Sequence, residues 1–98
     1  MAYKIVVNQE ADEDIEQALD YYFFKVNPEV ASRFYLDLQD AYDTLEINPF
    51  FEIRSKNYRA LPLKKFPYLV FYELLESEQI VVVLALFHTS QDSINWPK

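Results

Sequence analysis

Hydrophobic positions recur along this chain at two different periods, and the change of period divides it in two. Tyr3 to Val7 (YKIVV) is a short β-branched run that predicts a strand. Ile15, Ala18, Leu19, Tyr22, Phe23 and Val26 then fall on one stripe of a helix. Asn8 suits its N-cap, and the acids that follow suit the positive end of its dipole. Asn27-Pro28 marks a boundary, because proline cannot continue one helix but fits the first position of the next. Ala31, Phe34, Tyr35, Leu38, Ala41, Tyr42 and Leu45 make a second stripe that ends before Asn48-Pro49. So short a link predicts antiparallel helices, and two helices with one apolar face each need a partner layer.

Beyond residue 57 the period falls to two. Phe50 to Asn57 reads as a connector and Arg59 to Leu63 as a brief strand, with Pro62 predicting an edge position. Tyr68 to Leu75 is a longer strand, Glu76-Ser77-Glu78-Gln79 a polar turn, and Ile80 to Phe87 a run apolar on both faces that belongs mid-sheet. The tail from His88 is polar until Trp96. The order β-α-α-β-β-β predicts a single α+β domain over residues 1–98, a helical hairpin packed on a mostly antiparallel four-stranded sheet.

Composition narrows the chemistry. The 98 residues contain no Cys and no Gly, which excludes a disulfide framework, a thiol nucleophile and the glycine-rich phosphate loops of nucleotide-binding folds. The longest apolar run, Ile80 to Phe87, is eight residues, far short of a membrane span, and no signal peptide is visible. A cytoplasmic protein without cofactor or metal is expected. Asp12, Glu13, Asp14 and Glu16 lack the spacing of a calcium loop and read as solvated helix surface.

The net charge of −7 disfavours general attraction to nucleic acid, but its distribution is uneven. Twelve acids precede residue 53, against only Lys4, Lys25 and Arg33. Between Ile53 and Pro67 stand Arg54, Lys56, Arg59, Lys64 and Lys65 with no acid among them.

At this point the chain resembles the RelE/ParE family of bacterial toxin–antitoxin toxins. The resemblance rests on Ala11, Asp14 and Ile15 with the Tyr21-Tyr22 pair, then Ala31, Phe34, Leu45 and the Asn48-Pro49 stop. Downstream it rests on Arg59 and Leu61, on Phe66-Pro67-Tyr68 with Phe71-Tyr72, on the strand ending at His88, and on Trp96. It implies a small toxin neutralised by a cognate antitoxin in a hetero-oligomer. It also implies one of two targets: RelE-like members cleave mRNA in the ribosome, and ParE-like members poison DNA gyrase. The sequence departs from the family where an Arg is usual after the His; Gln91 occupies that place within Thr89-Ser90-Gln91-Asp92-Ser93.

RNA cleavage needs a group to activate a ribose 2′-OH, cations for the charged phosphorane, and a proton for the leaving oxygen. Arg59, His88 and Lys56 are the candidates for that catalysis. Arg54, Lys56, Arg59, Lys64, Lys65, Tyr72, Gln91 and Trp96 are the candidates for contact with a target or with RNA. Each also has a structural reading: His88 as a hydrogen-bonded strand end, Tyr72 and Trp96 as packing, Lys64 and Lys65 as guards of a sheet edge, and Arg59 as partner to an antitoxin carboxylate. With Gln91 in the Arg place, the catalytic set is thin. The expectation is a toxin that acts by binding, ParE-like; the alternatives are a ribosome-dependent nuclease and a degenerate member that binds only its antitoxin.

Overall fold

The computed structural model describes residues 2–89. Its elements are β1 (Lys4–Val7), α1 (Gln9–Lys25), α2 (Pro28–Ile47), β2 (Ile53–Ser55), β3 (Tyr58–Pro62), β4 (Tyr68–Leu75) and β5 (Ile80–His88). Both helix starts are set by asparagine. Asn8 Oδ1 accepts the Ala11 N–H and Asn27 Oδ1 accepts the Val30 N–H, each at 2.9 Å, and Pro28 opens α2 where its missing N–H costs nothing.

The sheet has five strands, in the order β1-β5-β4-β3-β2. Only β1, parallel to β5, departs from antiparallel pairing. The expectation of four strands is therefore corrected by β2, which lies inside the stretch read as a connector. Three residues are too few for alternation to show. They are held by pairing with the start of β3, Ile53 opposite Arg59 and Ser55 opposite Tyr58. The turn between them puts Lys56 at φ 51°, a left-handed conformation that costs a non-glycine residue on the order of 1 kcal/mol. Gln79, at φ 56°, closes the β4–β5 hairpin in the same way after a single 3-10 turn over Glu76–Glu78. The chain has no glycine, and among the described residues these two take the left-handed conformation. Because β2 opposes only Tyr58 and Arg59, Pro62 does stand at a free edge of β3.

The helices cover one face of the sheet. Ala11, Ile15 and Ala18 of α1 and Phe34, Leu38, Ala41 and Leu45 of α2 meet Val70, Tyr72, Val81, Val83 and Leu86 in the main core. Val83 and Leu86 share that face although they are three apart, since Leu84 is an extra residue in β5: Phe71 pairs with Ala85 and Tyr72 with Val83. The bulge moves the alternation by one and keeps apolar residues inward on both sides of it. A smaller cluster of Ala60, Leu69, Phe71 and Ala85, joined by Tyr58 and Phe87, occupies the opposite face. The apolar stripes run out at the hairpin's tip, where Phe23, Val26 and Tyr35 remain exposed.

Candidate functional site

The basic strip of residues 54–65 runs the full length of β3, so its cations fall at opposite ends of the sheet. Arg54 and Lys56 are exposed around the β2–β3 turn. Lys64 and Lys65 are exposed in the turn that follows β3. Arg59 lies nearer the first pair, on the helix-covered face.

Arg59 is engaged within the protein. Its Nη1 donates to the Phe51 carbonyl at 2.7 Å, and its guanidinium sits over the Phe50 ring at 5.8 Å from the centroid. Beside it, the Tyr72 hydroxyl donates to the Pro49 carbonyl at 2.5 Å and accepts the Phe51 N–H at 3.3 Å. Burial raises the Tyr72 pKa above the usual phenol value, and the Phe51 amide and the Arg59 charge offset this in part. Tyr72 is 0% exposed and has no surface to offer a nucleic-acid base. Together the two side chains fasten the segment that leaves α2 and enters β2.

His88 stands at the other end. It pairs with Tyr68 across β4 and β5, its ring edge-on to Tyr68 at 5.1 Å. Burial, then a hydrogen bond with Tyr22, raises the Tyr68 pKa. The Thr89 N–H donates to the Pro67 carbonyl at 2.8 Å, so the end of β5 is tied to the turn that carries Lys64 and Lys65. Along β4 the partners of His88 and Arg59, Tyr68 and Tyr72, are four residues apart, roughly 13 Å at the rise of a strand. Between them runs the apolar row Leu61, Val70, Leu86, buried at Val70 and Leu86 and partly so at Leu61. The structure thus groups His88 with Lys64 and Lys65, groups Arg59 with Arg54 and Lys56, and does not bring Arg59 to His88. Gln91 and Trp96 lie outside the described residues.

Two helix carboxylates hold sheet backbone, and one of them, Asp14, belongs to the cluster expected to be solvated helix surface. Asp37, 6% exposed, accepts the Lys65 N–H at 2.9 Å and the Phe66 N–H at 3.1 Å on one oxygen. This fixes the lysine-bearing turn to the middle of α2, while Lys64 reaches Asp40 in an exposed ion pair at 3.0 Å. Asp14 Oδ2 accepts the Leu86 N–H at 3.1 Å, on the part of β5 beyond the end of β1. Its pKa is raised, by burial first and then by repulsion from Glu10 and Glu13, with the Leu86 bond opposing. Asp14 therefore departs from the expectation of a solvated cluster. Both positions carried a signal: Asp14 is three residues from Ala11 and four from Ala18, and Asp37 three from Phe34 and four from Ala41. Each acid interrupts a buried stripe.

Among the described residues there is no cluster of carboxylates and imidazole able to hold a metal, and no helix is long and apolar enough to cross a membrane.

The sequence matches the family model of the ParE toxin of the type II toxin–antitoxin system parDE over residues 5–93. No curated protein is similar enough in sequence to match. Solved structures share the fold. A chain of the chromosomal ParDE system of P. aeruginosa superposes with a TM-score of 0.76 at 16% identity, covering 91% of this chain and 98% of that one. One from the RelBE2 toxin–antitoxin complex of Mycobacterium tuberculosis gives 0.61 at 16% identity, with 93% and 95% covered. One from the archaeal RelE–RelB complex of Pyrococcus horikoshii gives 0.59 at 13% identity, with 94% and 100% covered.

Proposed function

Because the chain belongs to the ParE toxin family of type II toxin–antitoxin systems, we propose that it arrests growth by binding an essential target through its surface, with DNA gyrase as that target, and that a cognate antitoxin neutralises it. The observation that carries this reading is the separation of Arg59 from His88 by a largely buried apolar row, with the Arg59 guanidinium already bonded to the Phe51 carbonyl. Phosphoryl transfer to a 2′-OH needs its cation and its proton carrier within reach of one phosphate. A surface that poisons by contact needs no such convergence. The antitoxin part of the reading is supported by the family and by neighbours in the fold that are toxin–antitoxin systems and complexes.

One arrangement favours the RelE-like alternative. Lys64, Lys65 and His88 gather at the same end of the sheet, and cations beside an imidazole are what RNA cleavage would use. Induction in a bacterial host, with new 5′ ends of RNA mapped and DNA breaks scored, separates the two readings. Growth arrest with double-strand breaks, an SOS response and uncut mRNA is the expected result. Arrest with cuts inside translated codons, relieved by His88→Ala, would overturn it in favour of the nuclease. No arrest would leave a chain that only binds its antitoxin.

A further inference from the structure

The helices cover one face of the sheet, yet the other face is buried too. Its cross-strand rows are Pro62–Leu69–Phe87, then Ala60–Phe71–Ala85, then Tyr58–Glu73–Val82. In the middle row Phe71 is 0% exposed, Ala60 2% and Ala85 6%. An alanine methyl on each side cannot keep water from a phenyl ring. The partly buried hydrophobic side chains packed against the cluster are Tyr58 and Phe87, and Phe87 meets Phe71 edge-on at 5.5 Å. Both stand in the neighbouring rows of the same face, where they wall the middle row in. Burying the middle of an outer sheet face takes a second layer above it. Met1 is badly placed to supply one, since it precedes an edge strand whose Lys4 lies opposite Ile80, five residues along β5 from Ala85.

Position and pattern select the occupant. β5 ends at His88, and the Thr89 N–H is held by the Pro67 carbonyl at the Leu69–Phe87 end of this face. The middle row lies four residues back along β5, roughly 13 Å. The seven steps from Thr89 to Trp96 reach at most about 25 Å, enough for a turn and a return. Ser90, Asp92 and Ser93 are turn-forming types. Beyond them Ile94, Trp96 and Lys98 alternate at the period of an extended segment. Apolar, apolar, cationic in steps of two matches the face row by row: Leu69 with Phe87, then Phe71 between two alanines, then Glu73. The alanines leave a recess beside Phe71 for a large flat ring. Glu10 and Glu13 add negative charge at the margin, where they line a cavity with Tyr58, Ala85 and Phe87.

We infer that the outer face of the sheet is the docking site of the chain's own residues 90–98, with Trp96 seated on Phe71 between Ala60 and Ala85 and Lys98 against Glu73. The inference stands apart from the toxin reading. It closes this face to a strand or helix from outside. It also sets the turn of residues 90–93, Gln91 included, beside His88 and the turn that carries Lys64 and Lys65.

The chain has no cysteine and one tryptophan, so a single introduced thiol and one indole can report on each other. Bimane, a dye quenched by tryptophan at near contact, is attached in the full chain at one of two exposed positions. These are Pro62→Cys on the outer face and Leu36→Cys on the helices. Adding Trp96→Phe should raise the emission of the Pro62 label severalfold and leave the Leu36 label unchanged, with the same circular dichroism throughout. In the unlabelled chain Trp96 should emit to the blue of a free peptide of residues 90–98 and be quenched severalfold less by acrylamide. A Pro62 label indifferent to Trp96, a Leu36 label that brightens without it, or peptide-like quenching would each overturn the inference. So would quenching of a labelled Trp96→Phe chain by added unlabelled chain, since a second copy would then be the cover.

Discussion

The two ends of the basic strip use the same kind of side chain in opposite ways. At the β2 end, Arg59 turns inward: its charge meets the Phe51 carbonyl and the Phe50 ring, and Tyr72 beside it holds Pro49 and Phe51. At the far end the backbone is what is held, by Asp37, and the side chains of Lys64 and Lys65 point to solvent. A cation near a family-matching position is thus not thereby a functional cation. Where its hydrogen bonds go decides what it is free to do.

That contrast can be broken most forcefully at Tyr72. Tyr72→Phe keeps the ring but strands the Pro49 carbonyl and the Phe51 amide, and should lower stability by about 2–4 kcal/mol in chemical denaturation. A loss below ~0.5 kcal/mol would show that the corner is held by other means. Arg59→Ala comes next, at about 1–2 kcal/mol for a partly buried charge-assisted bond and the ring contact. Its effect on growth arrest should follow its effect on folding. A fully stable Arg59→Ala protein without toxicity would instead make Arg59 a target contact.

The lysine turn sharpens the comparison from the other side. Lys64→Glu with Lys65→Glu should change stability by less than about 0.5 kcal/mol, since the one ion pair lost is exposed. If that end of the sheet meets the target, the same pair should reduce growth arrest at equal protein level; unchanged arrest would place the target contact elsewhere. The smallest effect is expected at Asp14. Its folded pKa lies above the unfolded value, so the protonated carboxyl is the form the fold favours. The stability it supplies is present at low pH and lost as pH rises through the raised value. Asp14→Asn keeps an acceptor for the Leu86 N–H and should raise the melting temperature slightly at pH 7 and not at pH 3. A larger gain at pH 3 would reverse the assignment.

The elements were legible where a residue type dictates backbone geometry. Asn8, Asn27 and Pro28 announce the helices, and the unbroken apolar run after Gln79 announces a central strand. β2 was not legible, because its three residues are defined by what pairs with them and by a left-handed Lys56 that no glycine flags. The site was less legible still. Nothing in the spacing says that Arg59 would be spent on Phe51, since a guanidinium in sequence carries no record of its partner. Asp14 and Asp37 are the instructive middle case. Their acidity reads as surface and their position in the stripe reads as core, and the position was the better guide.

The parallel pairing of β1 with β5 also has a consequence in time. Lys4 lies opposite Ile80, 76 residues later in the chain. At synthesis rates of about 5–20 residues per second, the first strand waits roughly 4–15 s for the neighbour it will lie against. During that interval the core face of the hairpin has no complete sheet beneath it. A newborn chain therefore passes through a stage in which the apolar face that its two helices turn towards the sheet is still uncovered.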